Sequence, residues 1–184
     1  MTRTIKYKKE DILKKSINFI KDYGYSKLTA RELAKFIGCS TQPIFKNYNN
    51  FNMYKNDLKT YLRKDYTNFI SKYIDKNDYL YTISYAYALY AKKEPNIFFS
   101  LFMADLTESR TISEVLNTER NIETINAIVK QYNISLEEAK KIYREVRFYT
   151  HGIATQLCVN SIKLTDKEIK DLIKNNIELN LKRR

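Results

Sequence analysis

Between Ser40 and Tyr48 the chain concentrates side chains that can donate or accept hydrogen bonds: Ser40, Thr41, Gln42, Lys46, Asn47 and Tyr48. A carboxamide offers a donor and an acceptor in one plane, matching the N6 and N7 edge of adenine, while an ammonium suits guanine or a phosphate oxygen. That is the chemistry of recognition. Groups for bond-breaking chemistry do not assemble in the same way: no Gly-rich phosphate loop, HExxH, Gly-x-Ser-x-Gly or Cys/His metal spacing occurs. Glu137 and Glu138 are adjacent on a charged segment and read as solvated carboxylates. The expectation is a non-enzyme with no catalytic residues, no metal site and no cofactor.

The segments around this cluster are arranged to hold it out from a small core. Thr29-Ala30-Arg31-Glu32 has the form of a capping box opening a short helix, with Leu33, Ala34 and Ile37 as its apolar face and Gly38 as its stop. Ser40 is the expected N-cap of the next short helix, and Pro43 lies in its first turn, where a missing amide hydrogen costs nothing. Two short helices crossing steeply need a small residue at closest approach, a turn that tolerates positive φ, and an apolar residue filling the corner. Ala34, Gly38 and Ile44 meet those needs in order. The unit from Ala30 to about Asn49 therefore reads as a helix-turn-helix, its second helix presenting its N-terminal end to bases in the major groove. Thr29, Arg31, Tyr48 and Lys55 are expected on phosphates. The plainer alternative is a helical hairpin in which Gly38 only ends a helix.

The charge distribution favours the first reading. Of 184 residues, 33 are Lys or Arg and 21 are Asp or Glu, a net charge of +12. Lys, Asn, Ile and Tyr make up 78 residues, a bias that AT-rich codons would produce without any partner, so the total says little. Residues 1–64, however, carry +10 and residues 65–184 only +2. A codon bias acts along the whole chain, whereas a basic module on a near-neutral body is what a polyanion requires.

Elsewhere the pattern is helical throughout. With 3 Gly and 2 Pro the chain has too few turn-formers for an all-β fold. Apolar spacing predicts helices over Lys9–Tyr23, over 51–74, over Asp78–Ala91 and over Asn96–Leu106, then over 113–131. Ser135-x-x-Glu138 and Thr165-x-x-Glu168 cap two more, reaching about Ser161 and Leu181. The prediction is an all-α fold of about nine helices: a helix-turn-helix head over 1–50 and, linked by the helix from about 51, a helical body over 51–184. Cys39 and Cys158 are unpaired in spacing, the N-terminus has no secretory pattern, and no stretch reaches the ~18 apolar residues of a membrane span. A cytoplasmic protein without membrane partners is expected.

The residues Ile12, Phe19, Gly24, Leu28-Thr29, Leu33-Ala34, Gly38-Cys39-Ser40 and Pro43-Ile44-Phe45-Lys46-Asn47-Tyr48 resemble the N-terminal domain of the tetracycline-repressor (TetR) family of transcriptional regulators. The likeness covers about residues 8–60. It implies a three-helix head, a fourth helix leading to a ligand-binding and dimerising body, and a homodimer on a palindromic operator in double-stranded DNA. Phe45 stands where the family usually has a phosphate-contacting tyrosine, Cys39 where it usually has valine, and Phe51 where a lysine often opens the fourth helix. Tyr48 and Lys55 are the expected substitutes.

In the body, the aromatic runs from Tyr79 to Tyr90 and from Ile97 to Met103 suit either core or a pocket for a flat amphipathic effector. Tyr66, Tyr85, Phe98, Phe102 and Tyr149 are the pocket candidates. Tyr149-Thr150-His151-Gly152 is similar to a His-Gly pair in many TetR-like C-terminal domains. Gly152 and Thr155, with Ile169, Leu172 and Ile173, are the expected dimer face of a four-helix bundle. His151, the sole histidine, reads as a hydrogen-bonded core residue. The expected function is an effector-released repressor. A regulator controlled by a protein partner, or without effector, and a helical interaction protein that does not bind DNA are the alternatives.

Overall fold

The computed structural model describes residues 7–103, 106–107 and 109–183, so the first six residues, part of the predicted helix end at 104–105 and the final Arg184 lie outside the described residues. It is all-helical. Among the described residues there are ten α-helices, two 3₁₀ turns and no strand. The chain divides into two compact units, Met1–Tyr66 with Asn96–Thr107, and Thr67–Pro95 with Glu108–Arg184.

The first unit contains α1 (Lys9–Tyr23), α2 (Ala30–Ile37), α3 (Gln42–Asn47), most of α4 (Phe51–Ser71) and nearly all of α6 (Pro95–Phe102). Ile12, Leu13, Ile17, Phe19 and Ile20 recur at helical spacing on α1 and are buried with Leu28, Leu33, Ala34 and Ile44. One polar chain threads this core. The Tyr54 hydroxyl donates to Ser16 Oγ at 2.6 Å, and Ser16 donates to the Ile12 carbonyl at 2.6 Å, so both buried hydroxyls are satisfied. Phe19 meets Phe36 edge to face with ring centroids 5.5 Å apart, tying α1 to α2.

The second unit is built from α5 (Tyr79–Lys93), α7 (Ile112–Leu116), α8 (Glu119–Tyr132), α9 (Leu136–Cys158) and α10 (Asp166–Lys182). The α5 helix packs on α8, α9 and α10, and α9 in turn on α8 and α10. Leu80, Ala88, Ile128, Val146, Ile153, Ile169 and Ile173 are part of the resulting core. The two capping boxes predicted in this unit form: Ser135 and Thr165 accept from the Glu138 and Glu168 amides at 3.2 Å, and the carboxylates return to the Ser135 and Thr165 amides. That reciprocal bonding, with the serine and threonine hydroxyls added, holds the Glu168 carboxyl below the usual carboxylate range.

The local differences have physical causes. The predicted helix over 113–131 is two helices, because Thr111 and Glu114 form a third capping box around a short α7 and Asn117 and Thr118 break the chain before α8. The Asn121 side chain then caps the Val115 carbonyl. The helix predicted over 51–74 stops at Ser71, whose hydroxyl bonds back to the Asn68 carbonyl at 3.0 Å. The helix predicted over Asn96–Leu106 ends at Phe102, and it begins on Pro95 itself, since a first-turn residue needs no amide hydrogen.

Candidate nucleic-acid interface

The geometry of the proposed reading unit begins at Thr29. Its hydroxyl accepts from the Glu32 amide at 3.1 Å, while the return bond from the Glu32 carboxylate does not form, so half of the predicted capping box is present. At the other end of α2, Gly38 is left-handed with φ 81° and ψ 35°, and the Gly38 and Cys39 amides bond back to the Ala34 carbonyl at 3.0 and 2.9 Å. An L side chain is strained at that φ, which accounts for glycine there. The turn is closed by Ser40, whose Oγ accepts from the Gln42 amide at 3.4 Å. The helix is bounded at Thr41, but the capping side chain is that of Ser40, as predicted: its hydroxyl takes the Gln42 amide, while Thr41 has helical backbone angles and makes no capping bond.

On α3, Ile44 is fully buried and anchors the helix, so the residues three and four apart on the opposite side face water. Gln42, Phe45 and Lys46 are exposed there, with Phe45 47% exposed. An amide, an aromatic ring and an ammonium therefore share one open face. Ser40, Thr29 and Arg31 are also exposed, and Thr41 is half-buried.

Two predicted contact residues have other work. The Asn47 side-chain amide donates to the Pro43 carbonyl at 2.8 Å and to the Tyr7 carbonyl at 3.1 Å, which commits both its donors to backbone. It pins the last turn of α3 to the segment before α1 and is not placed to read a base. Tyr48 is buried to 3% exposure, edge to face on Tyr54 at 5.3 Å, with the Lys9 ammonium 4.8 Å over its ring. Its hydroxyl is buried without a hydrogen-bond partner, and burial pushes its pKa up to about 12. Tyr48 is a core residue, not the phosphate contact expected. Lys55 is half-buried with its ammonium 5.5 Å from the Phe51 ring, a cation-π arrangement that leaves the head of the chain at the start of α4.

The body candidates separate as well. Tyr66 meets Phe102 edge to face at 5.0 Å, Phe98 meets Phe102 at a tilt and the same distance, and Phe98 is fully buried, so these three form an aromatic cluster of the first unit. Tyr85 and Tyr149 belong to the second unit. Tyr85 donates to Asp166 at 3.5 Å and lies under the Lys170 ammonium at 4.9 Å, while Tyr149 is exposed on α9. Ile169 and Ile173 are fully buried in the chain's own core, with Leu172 packed against it, so they are not free to face a second copy. The reason is geometric: the stripe Ile169, Ile173 and Ile177 on α10 is consumed by α9 and α5. Gly152 is exposed and Thr155 half-exposed on α9, as a partner-facing surface would need.

His151 is half-buried, and its Nδ1 shares a 2.8 Å hydrogen bond with the Tyr87 hydroxyl. Burial, and then the nearby Arg147 charge, lower its pKa below the usual imidazole value. Among the described residues no group of three or more His, Cys, Asp or Glu could hold a metal ion, and no helix is long and apolar enough to cross a membrane. No protein-family model matches the chain, and a search of curated proteins finds no significant match.

Proposed function

We propose that the chain is a DNA-binding transcriptional regulator of the tetracycline-repressor type, acting as a homodimeric repressor on a palindromic operator. The observation that carries this reading is the exposed face of α3, with Gln42, Phe45 and Lys46 held beyond a Gly38 turn on a segment of charge +10. Gln42 can bond adenine through both amide atoms, Lys46 can reach a guanine or a phosphate, and the Phe45 ring can pack on a thymine methyl. Arg31 and Thr29, exposed at the start of α2, are suited to the sugar-phosphate backbone. The exposed Gly152 and half-exposed Thr155 on α9, with the exposed Val159 just after its end, are the surface through which a second copy would dock. An effector bound in the body would weaken DNA binding only by its differential affinity for the two spacings of the heads.

The test is fluorescence anisotropy with duplex DNA from the region flanking the chain's own gene, against random duplex of equal length. Specific binding should exceed random binding by roughly a thousandfold or more at physiological salt. Gln42→Ala should cost about 1–3 kcal/mol on the specific duplex alone, and Lys46→Ala should also lower the salt slope by about 0.9 if it meets a phosphate. Equal affinity for flanking and random DNA, with both variants unchanged, would sink the proposal.

A further inference from the structure

We infer that the second unit carries a binding site for a small aromatic carboxylate, in the groove between α7 and the middle of α9. Arg144, Arg147 and Phe148 lie three and four residues apart on one face of α9 and line this groove, opposite Ile112 and Leu116 of α7 and Arg110 just before it. The groove thus has apolar walls with three guanidinium groups among them. Its volume is about 140 Å³. A cavity of about 150 Å³ accepts one benzene ring, whereas a drug-sized ligand needs roughly 300 Å³ or more. One ring is therefore the largest body that the groove encloses.

The charge selects the ring's substituent. Arg144 is paired with Glu145 at 3.0 Å, but Arg110 and Arg147 have no hydrogen-bond or ion-pair partner among the described residues. The Glu114 carboxylate, which the Arg110 charge helps to stabilise, is itself tied to the Thr111 amide and hydroxyl at 2.7 and 2.8 Å. Two guanidiniums are thus available, and a planar carboxylate matches their forked donors. Meanwhile Ile112 and Phe148 are 51% and 56% exposed, among the most open large apolar side chains of the chain. An aromatic ring on these two, its carboxylate on Arg147 and Arg110, would cover the apolar surface and satisfy the charge together. A free acetate would leave the apolar wall bare, and an uncharged ring would leave the guanidiniums without an anion.

This site does not depend on DNA binding, so a failed DNA-binding experiment leaves it untouched. The test titrates benzoate into the full chain by calorimetry or ligand-observed NMR, with benzyl alcohol and acetate as comparators. Saturable one-to-one binding of benzoate below a few millimolar is expected, with both comparators at least roughly tenfold weaker. Arg147→Gln and Arg110→Gln should each weaken benzoate at least tenfold, while Lys174→Gln, an exposed residue of α10, should not. Arg110 lies in an exposed segment, so its variant tests the site even if the half-buried Arg147 proves necessary for folding. Absence of saturation, acetate binding as well as benzoate, or unchanged affinity in the Arg110 variant overturns the site.

Discussion

Replacing Tyr48 by phenylalanine removes one oxygen atom and separates two roles for this residue. In the folded chain the hydroxyl has left water and found no partner, while the ring keeps its contacts with Tyr54 and with the Lys9 ammonium. A buried hydroxyl without a hydrogen bond costs about 1–3 kcal/mol. The void left by a single oxygen returns only part of that, since cavity cost grows with volume at about 24 cal/mol per Å³. The net expectation is a gain of about 0.5–2 kcal/mol, or a rise in Tm of roughly 1–8 °C for a chain of this size. A phosphate-contacting phenol would behave oppositely, with stability unchanged and DNA affinity reduced. Alkaline stability offers a second reading of the same variant. The folded Tyr48 holds its proton up to about pH 12 where an exposed tyrosine loses it near pH 10, so its contribution is intact below pH 10 and fades as pH rises through that window. Tyr48→Phe should therefore flatten the alkaline limb of the stability profile. Thermal unfolding by far-UV circular dichroism from pH 7 to 12, with DNA anisotropy in parallel, checks both. A fall in Tm, or a tenfold loss of DNA affinity at unchanged Tm, refutes the core assignment.

The remaining predictions bear on the same head and on the body. Asn47→Ala removes two bonds to backbone carbonyls and should lower stability by about 1–2 kcal/mol without changing which bases are preferred, as denaturant midpoints and a base-substituted duplex series will show. Gly38→Ala forces a Cβ into a left-handed turn and should cost about 1–2 kcal/mol, visible as a lower denaturant midpoint. Ile173→Ala should cost about 2–5 kcal/mol, with the midpoint depending on protein concentration no more than that of the unsubstituted chain. A concentration-dependent loss instead would return Ile173 to a subunit interface.

Helices whose local signals agree are those read most closely from sequence. Lys9–Tyr23 forms over the predicted residues because five core positions recur at helical spacing and Gly24 ends the helix. The long α9 and α10 begin where their capping boxes place them, since a cap is a contact between residues three apart. The break at Asn117 and Thr118 was less legible, because both residues are tolerated inside a helix and the interruption depends on Asn121 reaching back to Val115. The groove around Arg147 was missed altogether. Arg144, Arg147 and Phe148 share a face, a pattern visible in sequence, but Arg110 and Ile112 come to it only through the packing of α7.

By itself the sequence determined an all-helical chain, its caps, its turn at Gly38 and the concentration of positive charge before residue 65, because each depends on neighbours within about a turn or on composition alone. Tertiary structure alone decided which polar side chains of α3 remain free. Asn47 and Tyr48 can hydrogen-bond on paper as Gln42 and Lys46 can, yet Asn47 meets Tyr7 across forty residues and Tyr48 turns under Lys9 into the core. The same holds on α10, where an apolar stripe suits a partner subunit or the chain's own α5 and α9 equally well. Hydrophobic periodicity specifies that a face is covered, and only the long-range path of the chain specifies by what.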